Sequence, residues 1–246
     1  MKKNPIALVT GGSKRIGKQI CVDLAKNGYD IIIHYNKSKT SANILKREIV
    51  ALGVRCETIK CNFNDRSQVD KFYSKASKLL GKISCLINNA SVFENDKILN
   101  FTPKSWDKHL DTNLYAPIKL SKDFAKEYKN EKNGNIINIL DQGVINPSIA
   151  FFSYNISKAA LHSATIILAK SLAPNIRVNA IGPGPTIKNE YQSDKNFKKQ
   201  VKSTLLKKGS KPTDISNTLN YILATESLTG QLIVVDGGEH LSWTEI

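Results

Sequence analysis

Arginine, methionine and acidic side chains are scarce in this 246-residue sequence. It holds 21 Asp and Glu against 36 Lys and Arg, a single methionine, and a formal net charge of +15. Long apolar runs are missing as well. No stretch approaches the roughly 20 apolar residues that span a bilayer, and the short run before Gly11-Gly12 is too brief for the apolar core of a secretory signal. A cytoplasmic chain with no membrane partner is therefore expected. The four cysteines, Cys21, Cys56, Cys61 and Cys85, form no CxxC pair and have no histidine at metal-ligand spacing, so neither a zinc site nor a disulfide framework is expected. Scarce arginine also bears on the excess positive charge. A surface that tracks phosphate backbones favours arginine, clustering and interleaved aromatics, whereas here lysine outnumbers arginine several-fold and is spread along the chain. The charge reads as a solvated lysine-rich surface, with no nucleic-acid partner.

What is present is an alternation of short β-rich runs and helix-length amphipathic segments, the pattern of a parallel sheet built from βαβ units. The expected strands are Ile6 to Thr10, Asp30 to His34, Arg55 to Lys60, Ser84 to Asn88, Asn135 to Leu140, Arg177 to Ile181 and Leu232 to Val235. Helices are expected near Arg15 to Asn27, Ser41 to Leu52, Ser67 to Leu80, Lys104 to Tyr128, Ser153 to Leu172 and Thr213 to Ala224. Seven strands and their helices make one doubly wound α/β Rossmann domain over residues 1–246, its seven-stranded parallel sheet flanked by helices. The 41% of hydrophobic residues can fill such a core. From about residue 183 to 212 the sequence turns polar and basic with few apolar anchors, which reads as a mobile lid over a substrate.

After the first strand comes Thr10-Gly11-Gly12-Ser13-Lys14-Arg15-Ile16-Gly17, with a helix opening inside it. Glycine lets backbone approach a pyrophosphate, and a helix N-terminus supplies amide donors and a favourable dipole. The second strand ends in His34-Tyr35-Asn36-Lys37-Ser38. An NAD-binding protein would place Asp or Glu here for the ribose hydroxyl. Lys37 and Ser38 instead offer a cation and a hydroxyl to a 2′-phosphate, so NADPH is the expected cofactor.

Lys158 lies four residues beyond Tyr154, so on a helix both point to one face. An ammonium beside a phenol is expected to lower the tyrosine pKa and make Tyr154 usable as a proton donor. Together with the Gly-rich loop, Asn88-Asn89-Ala90, Asn113, the NxxGPGxT string from Asn179 to Thr186 and Asp236-Gly237-Gly238, these marks resemble the short-chain dehydrogenase/reductase family. The resemblance covers nearly the whole chain. It implies that Lys158 also holds the nicotinamide ribose, that Asn113 orders a water relay, and that the protein is a homo-oligomer, commonly a tetramer. The implied cofactor-binding set is Gly11, Ser13, Lys14, Arg15, Ile16, Gly17, His34, Tyr35, Asn36, Lys37, Ser38, Asn62, Asn89, Ala90, Ser91, Tyr154, Lys158, Pro183, Gly184 and Thr186.

Three departures narrow the resemblance. Asp141 stands where most of the family carries a serine that polarises a substrate carbonyl, and an ionised carboxylate would repel the oxygen on which charge develops. Either Asp141 is protonated or the substrate is not an ordinary carbonyl. Arg15 replaces the middle glycine of the loop, and Asn89-Ala90-Ser91-Val92-Phe93 replaces NNAG. The combination resembles the pteridine reductase branch, including dihydromonapterin reductases. It implies catalysis by Asp141, Tyr154, Lys158 and Asn113, and a substrate site of Arg15, Ser91, Phe93, Asp141 and Tyr154, with Phe93 stacking the ring. The expected substrate is a dihydropterin, dihydromonapterin or dihydrofolate. The alternatives are a 3-oxoacyl-thioester or other carbonyl reductase, and a non-catalytic NADPH-binding regulator.

Overall fold

In the computed structural model, which describes residues 4–128, 131–189 and 192–242, the apolar runs form one seven-stranded sheet. The strands are β1 (Ile6–Val9), β2 (Asp30–Tyr35), β3 (Cys56–Lys60), β4 (Cys85–Asn88), β5 (Gly134–Ile139), β6 (Ile176–Pro183) and β7 (Leu232–Val235). All neighbours pair in parallel, in the order β3-β2-β1-β4-β5-β6-β7. Alternate residues feed opposite faces, as the two-residue period of a strand requires. Ala7, Val9, Ile31 and Ile33 enter one apolar cluster, whereas Ile6, Leu8 and Ile32 enter the other. Both faces therefore need helices over them.

Those helices are α1 (Arg15–Lys26), α2 (Lys39–Val50), α3 (Arg66–Leu80), α4 (Pro103–Leu110), α5 (Ala116–Glu127), α6 (Phe152–Leu172), α7 (Asp194–Ser203) and α8 (Pro212–Ala224). Two differ from the sequence expectation. The single helix expected over Lys104 to Tyr128 is interrupted by a π-helical segment, Asp111–Tyr115, with Asn113 in it. The basic stretch expected to be a mobile lid, for which no helix was expected, contains α7, which is capped by Ser193 and turns Phe197, Gln200 and Val201 toward the protein. Glu190 and Tyr191, also within that stretch, lie outside the described residues. Among the described residues no helix is long and apolar enough to cross a membrane, and no group of side chains could hold a metal ion. The four cysteines are free and buried, and burial pushes the Cys56, Cys61 and Cys85 thiols up to about 12.

Strand order reverses between β1 and β4, so the loops leaving those strands diverge and leave a crevice at the carboxyl edge of the sheet. A buried polar chain runs beneath this edge. Asn88 donates to Asn138 at 2.8 Å, and Asn138 donates to Thr165 at 2.9 Å, tying β4, β5 and α6 together. Each group is shut away from water, so solvent cannot replace a lost partner; Thr165 Oγ1 also donates to Leu161 O at 2.8 Å. Asn138→Ala is expected to destabilise the fold by about 1–3 kcal/mol, because it strands the buried Asn88 amide and leaves Thr165 only its bond to Leu161 O. Thr165→Val, which removes one partner, is expected to cost less. Urea unfolding of the two variants checks the order, and an Asn138→Ala protein as stable as wild type would refute it.

Candidate active site

The phosphate loop is closed by a strand-end clasp. Asn89 at the end of β4 donates through Nδ2 to Thr10 O (2.8 Å) and Gly11 O (3.1 Å), and its amide donates to Thr10 Oγ1. A Cβ on Gly17 would lie 2.4 Å from Gly11 O, so only glycine lets α1 start this close to the loop. The first turn of α1 contains no acidic residue, and Lys14, its N-cap, makes no side-chain cap. Helix geometry leaves those amides without intrahelical acceptors, an arrangement suited to a pyrophosphate.

His34 supports the loop from below. Its Nδ1 accepts from the Gly11 amide at 3.0 Å, and its Nε2 is 3.1 Å from Cys61 O. Burial pushes its pKa down to about 4, so the ring is neutral and stacks on Phe63 at 4.2 Å. His34 and the buried Tyr35 thus shape the cofactor corner from within, while Asn36 and Lys37 are exposed at its rim. Ser13 Oγ donates to Ser38 Oγ (3.2 Å), and Asn36 Nδ2 donates to Asn62 Oδ1 (3.3 Å), drawing the loop, the end of β2 and Asn62 to one corner.

Asp141 follows β5, and Tyr154 and Lys158 project from the first turns of α6. Asp141 Oδ1 accepts from the Gly143 amide at 2.8 Å, and Oδ2 accepts from the Tyr154 hydroxyl at 2.9 Å. Tyr154 and Lys158 are 6% and 3% exposed. Burial raises the Asp141 pKa against the pull of its two donors and of Lys158. Lys158 Nζ donates to Ile139 O at 2.8 Å, and burial lowers its pKa to about 8.

The expected effect of Lys158 on Tyr154 is corrected here. The Tyr154 pKa lies well above the ordinary phenol value, first through burial and then through the carboxylate it faces. Lys158 lies 5.7 Å from the Tyr154 ring centroid and spends its proton on a main-chain carbonyl. The phenol is therefore a firmly neutral hydrogen-bond donor.

Asn113 is a brace in this arrangement. Its Oδ1 accepts from the Val92 amide (2.8 Å) and Ser91 Oγ (3.2 Å), and its Nδ2 donates to Val92 O (2.9 Å) and Ser157 Oγ (3.0 Å). It fixes the Ser91–Phe93 strip, so the Phe93 ring meets Tyr154 edge-on at 4.6 Å. Phe151, which no motif marks, stacks its ring on Phe93 at 4.3 Å and 17°. Phe151 has φ 58, left-handed backbone that a bulky residue adopts only under constraint. Glu239 and Asp236, whose charges both reach Asp141's surroundings, were also missed as site groups.

The stretch after β6 is tied to the loop by Arg15, which donates to Ile187 O and Lys188 O at 2.8 Å each. Arg15 itself sits at φ 55. Pro183 and Gly184 bring the chain back under the site. A Cβ on Gly184 would be 2.5 Å from the Asp236 Cβ, so glycine is required there. Thr186 Oγ1 donates to Gly184 O at 3.0 Å. Lys14 and Ile16 flank Arg15 at the loop's outer edge, and Ala90 follows Asn89, its amide donating to Thr10 Oγ1 at 3.0 Å.

Residues 5–199 match the short chain dehydrogenase family model. The protein is a short chain dehydrogenase. Its curated relatives include the Staphylococcus aureus 3-oxoacyl-(acyl-carrier-protein) reductase FabG, 30% identical over 248 residues, covering 98% of this chain and 100% of the relative. Among solved structures, FolM alternative dihydrofolate reductase 1 from Brucella suis, in complex with NADP, is 38% identical with a TM-score of 0.94, covering 99% of this chain and 98% of that one. The same-named Brucella canis protein, also complexed with NADP, is 37% identical with a TM-score of 0.91, covering 98% and 96%.

The ordering of acid strengths is open to direct titration. The wild-type minus Tyr154→Phe ultraviolet difference spectrum is expected to show no phenolate up to about pH 9, below even the ordinary tyrosine pKa of about 10. Asp141→Asn removes the facing negative charge and is expected to bring phenolate onset to lower pH. A Tyr154 phenolate near neutral pH would show that Lys158 dominates after all.

Proposed function

We propose that this short chain dehydrogenase is an NADPH-dependent pteridine reductase. The observation that carries the reading is the buried pair of Tyr154 hydroxyl and Asp141 carboxyl, 2.9 Å apart. Burial favours retention of a proton on the pair. A carbonyl reductase develops an alkoxide, and the negative charge left on Asp141 once the pair has given up its proton would oppose that alkoxide. A pterin needs something different: its C=N bond takes hydride at carbon and a proton at nitrogen, and its ring N–H groups can donate to a carboxylate.

The cofactor would lie with its pyrophosphate on the first-turn amides of α1 and its 2′-phosphate toward Lys37 and Ser38, and its reduced nicotinamide supplies the hydride. Asn62, Asn89, Ala90, Ser91, Pro183, Gly184 and Thr186 border the same crevice, and Lys158 would hold the nicotinamide ribose. A proton on Asp141 reverses the observed bond, so that the carboxylic acid donates to the phenol oxygen while the phenol donates to the substrate nitrogen. Tyr154 then delivers the proton and Asp141 replaces it. Phe93, backed by Phe151 and half-buried, offers a flat surface for the ring. The high likeness to the two FolM structures supports the same reading.

The FabG relatives keep 3-oxoacyl-thioester reduction as the second reading. A paired assay separates them. The wild-type protein is expected to oxidise NADPH with a dihydropterin and to be poor with acetoacetyl thioester. Asp141→Ala is expected to lose pterin turnover, and Asp141→Ser to shift modestly toward carbonyl substrates. Thioester reduction without pterin turnover would overturn the proposal.

Cofactor choice is tested at Lys37. A charged contact to phosphate is worth roughly 1.5–3 kcal/mol, so NADPH is expected to be preferred over NADH by about tenfold or more. Lys37→Glu is expected to erase or reverse that preference in kcat/KM. Equal efficiencies with both cofactors in the wild-type protein would remove the role assigned to Lys37.

A further inference from the structure

The turn after β7 carries a carboxyl that the chemistry above does not use. Glu239 is 3% exposed, yet its Oε2 is buried without a hydrogen-bond partner. Its other oxygen accepts from Gln200 Nε2 of α7 at 2.8 Å, and Gln200 Oε1 accepts in turn from Gln192 at 2.9 Å. The Glu239–Leu241 turn also packs on the Gln142–Val144 turn that caps Asp141. Glu239 therefore stands where the lid helix meets the catalytic carboxyl.

The charges around it have one sign. Asp141 and Asp236 both bear on Glu239. Asp236 is held by the Gly238 amide, the His240 amide and His240 Nδ1, and Asp141 faces Tyr154 and Lys158. The lid's lysines do not offset this wall. On α7, Gln200 faces Glu239 beside Phe197 and Val201, whereas Lys195, Lys198, Lys199 and Lys202 occupy the opposite, exposed side. Three acidic side chains thus cluster at one end of the crevice, Glu239 and Asp236 buried and Asp141 half-buried, with the positive groups behind them or outside.

We propose that Glu239 is a specificity-determining residue that disfavours substrates with a carboxylate tail, so that the enzyme takes pterins with neutral, hydroxylated side chains in preference to glutamate-bearing folates. This rests on the pteridine reading given above. A ring seated between Phe93 and Asp141 must send its substituent past the lid, within the field of Glu239. An anionic tail meets repulsion there. A neutral hydroxyl meets no such repulsion.

The discrimination should depend on pH. Burial, together with the two neighbouring carboxylates, pushes the Glu239 pKa up to about 7, while Gln200 pulls it down. Below that value the side chain is neutral and repels little. Above it the negative charge appears, and discrimination grows. The tail's own carboxylates stay ionised throughout, since their ordinary pKa lies near 4.

Binding without turnover gives the test. Two 2,4-diaminopteridines, one with a hydroxymethyl group and one with a benzoylglutamate tail, are titrated calorimetrically into the NADP-loaded protein at about pH 6 and pH 8. Protonation of the shared ring cancels in the ratio of their affinities. In the wild-type protein that ratio is expected to move at least about fivefold toward the neutral probe between the two pH values, the size of one partly screened charge contact. Glu239→Gln, which can still accept from Gln200, is expected to abolish the change, and Glu239→Met serves as a second neutral variant should the first not fold. A ratio independent of pH in the wild-type protein, or a dependence that survives in either variant, overturns the proposal. If neither probe binds, the pteridine reading falls and this inference with it; if both bind with an unmoving ratio, only the inference falls.

Discussion

The hydrogen bond between Tyr154 and Asp141 is the constraint around which the crevice is arranged. Two acidic groups held 2.9 Å apart and away from water cannot both ionise cheaply. Each neighbour limits that cost in a different way. The Gly143 amide satisfies one carboxyl oxygen, Lys158 adds a positive charge without touching the phenol, and the Asn113 brace keeps the Phe93 strip in place beside them. Burial raises both groups, so a proton is held more firmly on this pair than on either group in water.

The cofactor side and the substrate side are built by different means. The cofactor corner is mostly backbone: first-turn amides of α1, a loop drawn tight by Asn89 and Thr10, and a neutral His34 underneath. Backbone donors are indifferent to the rest of the bound molecule, which is why such a corner can serve many reactions in one family. The proposed substrate side draws on side chains from widely separated parts of the chain, namely Phe93, Asp141, Phe151, Tyr154 and Glu239. Its chemistry is correspondingly particular.

What could be read from the sequence follows the same division. The strand-loop-helix unit, the seven strands and the shared face of Tyr154 and Lys158 rest on local periodicity, which needs no tertiary information. Asp141 stood out because its residue type clashed with carbonyl chemistry. Three features were illegible for definite reasons. The turn of α7 is stabilised by Ser193 and by contacts to the Glu239 turn, not by an apolar stripe strong enough to show in a lysine-rich stretch. The π segment leaves no mark in composition. The acid strength of Tyr154 depends on burial and on Asp141, both products of the folded state, whereas the spacing alone suggested only Lys158. Phe151 and Glu239 reach the crevice by tertiary packing from positions that look ordinary in the chain.

The π segment at Asp111–Tyr115 also sets how the enzyme tolerates changes in length. A π turn holds one residue more than an α turn, so loss of a single residue there would restore an unbroken α-helix without harming its hydrogen-bond ladder. The flanking α4 and α5 would keep their faces, because the extra residue of a π turn widens that turn and leaves the helix phase on either side nearly unchanged; the cost would fall on the widened turn itself. Asn113 stands inside that turn, so its reach to Val92 and Ser157 is what the deletion would alter. Deletions in this helix should therefore be filtered by activity before they are filtered by folding, the reverse of the usual rule for a helix at the edge of a core.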